Sequence, residues 1–238
     1  MSVTLKPFQF KQFKLFDDRS TMKIGTDAVL LGSWSNIDNT SRILDIGTGL
    51  GIIALMLAQR SNALIDAVEI DKNSAQQATD NFNLSAWKSK MKVYNTSFQS
   101  FATSYNTSYD LIVSNPPYFV DALKSDKSHR NLARHADTLS FEELMKGISK
   151  LLSPQGKACI ILPITESILL KQFAELNELF CNYQTEVISK KGLEPNRMLM
   201  EFSKVKKDFK ACSLCILNQD LSYTDEFKDL TKDFYLNF

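Results

Sequence analysis

The sequence predicts an α/β protein: a mostly parallel sheet of seven strands, with helices on both faces and an antiparallel hairpin at its C-terminal end. Three observations carry this expectation. Short apolar runs recur at 42–46, 64–69, 91–95, 109–113 and 157–162, with the aliphatic character of strands buried on both faces. Helical patterns separate them, as crossovers between parallel strands require. Three further strand-like runs, 184–189, 197–204 and 211–217, come last, and the hairpin is expected among them.

Composition agrees with one folded domain. In 238 residues, 44% are hydrophobic and 23% charged, so disorder is not the default. No repeat, linker or composition break divides the chain. Residues 1–40 are read as an N-terminal segment and helix over the ligand site, 41–220 as the core, and 221–238 as a tail helix. No segment approaches the roughly 20 apolar residues of a membrane span, and residues 1–10 lack a signal pattern. A cytoplasmic protein is the expectation, with a monomer favoured and the oligomeric state open. Cys159, Cys181, Cys212 and Cys215 offer only one close pair, and the two histidines lie far away in sequence, so no metal site is expected. A net charge of +1 excludes a strongly basic coat but not a local basic surface.

Taken in order, Phe8-Gln9-Phe10-Lys11-Gln12-Phe13 reads as a short aromatic strand or lid on the edge of the fold. Gly25-Thr26-Asp27 is a turn leading into a capped apolar helix. Then Asp45-Ile46-Gly47-Thr48-Gly49-Leu50-Gly51 joins the first core strand to a helix at 52–59, the first half of a Rossmann-like nucleotide-binding unit. The spacing is G-x-G-x-G, not the pattern of a pyrophosphate site, and Asp45 before it suits an ammonium group. Glu69 ends the second strand about 20 residues on, where a ribose-binding carboxylate is expected, and Ile70 can lie against an adenine. Asp71 caps a helix at 72–83. Ser97 and Phe98 follow the third strand, where the adenine ring would be enclosed; core packing is the alternative for Phe98.

The fourth strand runs into Ser114-Asn115-Pro116-Pro117-Tyr118. Two prolines end it and stiffen a loop that presents an amide, a carbonyl and an aromatic face. Residues 119–139 crowd Lys124, Lys127, His129, Arg130, Arg134 and His135 together, a phosphate-gripping candidate beside that loop. Ser140 to Glu143 is a capping box opening a helix to about 152, a turn at 153–156 precedes the fifth strand, and a helix is expected at 165–180. Lys190, Lys191, Arg197, Lys204, Lys206, Lys207 and Lys210 crowd the later turns, either as solvated tips or as RNA contacts. Phe227, Leu230 and Phe234 predict a short tail helix.

A ligand fitting Asp45, a glycine turn and Glu69 has an amine, a ribose and an adenine but no pyrophosphate, as S-adenosyl-L-methionine does. The Asn115 oxygen and the Pro116 carbonyl can accept both hydrogens of an adenine amino group and leave its lone pair facing a methyl donor. Tyr118 can stack on the base. Such a base must be unpaired, which favours an RNA loop, with Arg130, Arg134 and His135 on its phosphates.

These residues resemble class I S-adenosylmethionine-dependent methyltransferases of the amino-methylating branch, whose signature is (Asn/Asp/Ser)-Pro-Pro-(Tyr/Phe/Trp). With Phe10-Lys11-Gln12-Phe13, the run from Met22 to Gly32, the glycine turn and Arg130-x-x-Ala133-Arg134-His135, the chain is similar to the bacterial tRNA(Val) N6-adenine methyltransferase family, which modifies adenine-37. The resemblance implies cofactor contacts at Thr26, Asp45, Gly47, Glu69 and Asn115, target-base contacts at Asn115, Pro116 and Tyr118, and tRNA as partner. Gly49, Gly51, Ile70, Ser97 and Phe98 complete the expected cofactor site, and Pro117 the substrate side. The alternatives are a release-factor glutamine N5-methyltransferase, whose family carries a separate helical domain where about forty residues precede Asp45 here, a DNA adenine methyltransferase, and a catalytically silent scaffold.

Overall fold

The computed structural model describes residues 6–18, 24–117 and 139–237. Among these the elements are β1 (Phe8–Gln9), β2 (Lys14–Leu15), α1 (Thr26–Trp34), β3 (Arg42–Ile46), α2 (Ile52–Arg60), β4 (Leu64–Glu69), α3 (Lys72–Leu84), β5 (Met91–Asn95), α4 (Phe98–Ser104), β6 (Tyr109–Ser114), α5 (Phe141–Leu151), β7 (Leu152–Pro163), α6 (Ile164–Leu176), β8 (Phe180–Lys190), β9 (Arg197–Ser203), β10 (Lys210–Leu217) and α7 (Asp225–Thr231). β1 and β2 form a small hairpin, and the other strands form one sheet in the order β10-β8-β9-β7-β6-β3-β4-β5. β3 to β7 are parallel, β9 is antiparallel to both β7 and β8, and β10 is parallel to β8.

The sheet therefore has eight strands where seven were expected. β9 returns the chain to the edge at which β8 began, and residues 204–209 suffice to start β10 beside it. The turn expected at 153–156 is instead a bulge inside β7, because the register jumps from Tyr109↔Leu152 to Leu111↔Lys157. Gly156 permits it: a Cβ there would lie 2.8 Å from the Tyr109 carbonyl oxygen. The helix expected at 165–180 stops at Leu176, and Phe180 already pairs with Ser203.

Alternation along the strands divides the core between the two faces. Ile43, Leu111, Val113, Cys159 and Ile161 pack under α1 and α2, while Leu44, Ile46, Ile112, Ile160 and Leu162 pack under α5 and α6. α1 lies close on α2 because Gly32 faces Met56, where a Cβ would sit 2.8 Å from the sulfur. Arg60 then donates to the carbonyls of Gly32 and Ser35 at 2.6 and 2.9 Å, closing the C-terminal end of α1.

The first and last segments support each other. Phe10, Phe13 and Leu15 are buried, as are Phe227 and Phe234 of the tail. The Lys11 N–H donates to the Phe234 carbonyl at 2.9 Å, and the Phe10 ring stacks on Phe13 and Tyr235. The aromatic segment and the tail helix thus pack on the body, as expected. Among the described residues no helix is long and apolar enough to cross a membrane.

Candidate active site

From β3 the chain goes on to β4 and β5 on one side, then returns to place β6 on the other. Open parallel sheets form a crevice at such a reversal, outside the carboxyl ends of the strands. Here the crevice lies between the glycine turn after β3, Glu69 at the end of β4, and Asn115 after β6. Registers Asp45↔Val113 and Ile46↔Ser114 hold the two loops side by side, and the Ser114 hydroxyl donates to the Ile46 carbonyl at 3.0 Å.

The turn is a left-handed staircase. Gly47, Gly49 and Gly51 have φ of 69°, 56° and 86°, conformations that side chains with a Cβ adopt at a cost. Gly51 also approaches Phe82 of α3, where a Cβ would meet the ring at 2.4 Å. Above Gly47 and Gly49 the space is open, with no atom within 4 Å of where a Cβ would stand. The N–H groups of Gly47 and Thr48 donate to the Val68 carbonyl at 2.9 and 3.1 Å, which ties the turn to β4.

Asp45 is fully buried. Its Oδ2 accepts from the Thr48 hydroxyl at 2.6 Å, whereas Oδ1 has no hydrogen-bond partner. Burial pushes its carboxyl up to about 7, the Thr48 hydroxyl and the Ala54 backbone pull it partly back, and the Glu69 charge adds to the rise. An orphaned buried carboxylate oxygen calls for a donor, and a cation meets that need best.

Glu69 is oriented from both sides. Oε2 accepts from the Gly49 N–H and Oε1 from the Asp71 N–H, each at 2.9 Å. Each oxygen keeps a further lone pair, so two hydroxyl donors can still bind. Ile70 beside it is 53% exposed, an apolar face with room for a flat ring. Asn115 is half-buried, Pro116 is buried and Pro117 is exposed. The set fits a ligand that carries a cation, vicinal hydroxyls and an aromatic ring.

Residues 20–191 match the methyltransferase small domain family. The chain belongs to that family. It is 47% identical over 230 residues, 96% of this chain and 97% of the relative, to the tRNA1(Val) (adenine(37)-N6)-methyltransferase of Bacteroides fragilis. It is 46% identical over 234 residues, 97% of this chain and 98% of the relative, to the enzyme of the same name from Trichodesmium erythraeum. The fold is similar to that of a predicted O-methyltransferase from Agrobacterium tumefaciens, with a TM-score of 0.71 at 18% identity over 87% of this chain and 96% of that one.

Ser97, Phe98 and Thr26, three of the expected residues of the methyltransferase, also have structural surroundings of their own. Ser97 is the N-cap of α4, with its Oγ accepting from the Ser100 N–H at 3.2 Å. Phe98 is 4% exposed and packs on α5 at Gly147, so its ring belongs to the core. The N-cap of α1 is Gly25 and makes no side-chain hydrogen bond, contrary to the capping expected there. Asp27 instead accepts from the Arg197 Nε at 2.8 Å. Successive helical residues turn by about 100°, so Thr26 and Leu30 share a face roughly opposite to Gly32, which packs on α2. Thr26 lines a cavity with Arg197 and Tyr223, whose walls include none of Asp45, the glycine turn or Glu69.

Tyr118, Arg130, Arg134 and His135 lie outside the described residues, as do Lys124, Lys127 and His129. The basic residues of the later turns divide between the two edges of the sheet. Lys190, Lys191 and Arg197 sit at the β8–β9 tip on the crevice side, whereas Lys204, Lys206, Lys207 and Lys210 connect β9 to β10 at the far edge. There the Lys204 ammonium donates to the Leu152 carbonyl at 2.7 Å.

Two site residues left no sequence signal. The Asn95 amide donates to the carbonyls of Glu69 and Ile70 at 2.9 and 3.1 Å and sets their backbone. Asn81, fully buried on α3, donates to the carbonyls of Leu50 and Phe16 at 2.9 and 3.1 Å and accepts from the Phe16 N–H at 3.0 Å. It ties the glycine turn to the N-terminal segment. Both are asparagines on elements whose periodicity says nothing of long-range partners.

Proposed function

We propose that this methyltransferase transfers a methyl group from S-adenosyl-L-methionine to the exocyclic N6 of an adenine in tRNA, adenine-37 of tRNA(Val). The near full-length identity to relatives that bear this activity in their name carries the proposal. The Asn-Pro-Pro loop against the glycine turn supplies the chemistry.

When bound, S-adenosyl-L-methionine supplies a methyl group already activated by its sulfonium. Asp45 meets the ammonium of its methionine part, Glu69 its ribose hydroxyls, and Ile70 the face of its adenine. Gly47, Gly49 and Gly51 let the backbone come close. Asn81 and Asn95 hold those parts in place. On the substrate side, the Asn115 side-chain oxygen and the Pro116 carbonyl accept the two N6 hydrogens of the target base. Charge that develops on nitrogen during transfer is stabilised by both acceptors, which do not have to reorganise. Tyr118 stacks on the base and Pro117 stiffens the loop. Arg130, Arg134 and His135 grip the flanking phosphates.

The test is transfer of labelled methyl to tRNA, with release factors and DNA as parallel substrates. Label confined to tRNA, mapped by mass spectrometry to N6 of a single adenine, is the expected result. Label on a release-factor glutamine would establish the N5 activity instead, and label in none of the three would leave a scaffold.

A further inference from the structure

On the crevice side of the sheet, a second cavity of about 320 Å³ opens between the start of α1, the β8–β9 tip, the end of β10 and the tail. Its volume falls at the lower end of the range for small-ligand pockets. Two kinds of group line it. Tyr223 and Tyr235 line one side; Tyr235 packs against Phe10 and Phe227, and the Tyr223 ring, stacked on the buried Phe227 at 5.0 Å, is 40% exposed and is the one that can meet a base. Facing them are Ser189, Asn196, Asp27 and Arg197, the last two joined as an ion pair at 2.8 Å that keeps about a fifth to a quarter of each side chain exposed. A tyrosine ring beside a planar guanidinium, a carboxylate and an amide is equipment that takes up an unstacked base: the ring stacks and the polar groups meet its edges.

Position narrows the occupant. Arg197 faces Pro163 on β7, and Ser114 faces Ile160 on the same strand. Arg197 thus lies two strand spacings and about two residues of rise from Asn115, roughly 12 Å away. That separation is too long for one base to fill both places and short enough for a neighbour in the same strand. Lys190 and the exposed Lys191 stand at the same tip, where a connecting phosphate would pass.

We propose that this cavity is a second nucleobase subsite, which receives a nucleotide flanking the methylated adenine in the RNA substrate. The inference rests on the tRNA activity proposed above and extends it: recognition of the loop uses two splayed bases, and the C-terminal tail serves the second.

The experiment uses an RNA stem–loop containing the target adenine, with 2-aminopurine placed at one neighbouring position at a time. At one position the wild-type enzyme quenches the fluorescence, and Tyr223→Ala abolishes the quenching. Loss of one stacked base raises the KM for RNA between about 5- and 150-fold in that variant, while cofactor affinity stays unchanged by calorimetry. Asn196→Ala, a substitution of an exposed side chain, produces a smaller rise in the same parameter. Quenching that survives both substitutions, with KM unmoved, would overturn the subsite while leaving the methyl transfer intact. A wild-type enzyme that methylates no tRNA would overturn both proposals.

Discussion

The two edges of the parallel sheet treat their carboxylates in opposite ways. Toward the N-terminal edge, Asp66 accepts from the Tyr109 hydroxyl at 2.8 Å and pairs with Arg42 at 3.3 Å. Asp110 accepts from the backbone N–H groups of Ser41 and Arg42 and from the Ser153 hydroxyl. Both acids join strand to strand. At the crevice Asp45 keeps a buried oxygen without a partner, and the glycines beside it leave open space. Satisfied groups at one edge make stability; unsatisfied ones at the other hold stability back for a ligand.

Substitutions on the two edges should separate activity from stability. The largest effect is expected at Asn115→Ala, which removes an acceptor used in the transfer step. Single-turnover methylation should slow by about 10²- to 10³-fold with little change in cofactor affinity, and near wild-type rates in the folded variant would remove Asn115 from the chemistry. Within the glycine turn the comparison sharpens. Gly51→Ala carries both a left-handed backbone penalty and a clash with Phe82, together about 2–5 kcal/mol of stability, measured by denaturant unfolding. Gly47→Ala meets no atom, so it should lose only about 1–2 kcal/mol of stability but weaken cofactor binding more than its stability change explains.

At the opposite edge, Tyr109→Phe removes a hydrogen bond to a carboxylate. It should cost about 1–3 kcal/mol in unfolding and leave the kcat/KM for tRNA unchanged. The smallest effect is a proton. The Asp45 carboxyl lies near 7 in the fold against an ordinary value of 3.8, so the folded state holds the extra proton between those limits. The unliganded protein therefore loses stability as pH rises from about 4 to about 7, and Asp45→Asn should remove that slope. A cation bound at Oδ1 favours the charged form and lowers this pKa. Calorimetry below pH 7 in buffers of different ionisation enthalpy should register proton release on cofactor binding, and none from Asp45→Asn.

Much of the crevice was legible because its parts are local. The glycine turn, Asp45, Glu69 and Asn115 are strand-end residues at fixed spacing, and a parallel strand order brings such ends together. Asp71 as an N-cap and the capping box at Ser140 were readable for the same reason, since the partner is three residues away. Phe98 was ambiguous because a large apolar residue after a strand suits either a ligand or the core; Gly147, on a helix far along the chain, made room for it in the core.

The sequence by itself determined the alternating α/β order, the glycine turn with Asp45 before it, the acid that ends the next strand and the stiff Asn-Pro-Pro loop. Those depend on backbone freedom and side-chain spacing within a few residues. Only the tertiary structure decided that β10 pairs parallel to β8 as the outermost strand, that Asn81 and Asn95 brace the site, that the later lysines part to opposite edges, and that the tail completes a cavity with Arg197. Each of these depends on a partner tens of residues away or more, and a pairing of that kind is chosen by how elements pack, not by the pattern within any one of them.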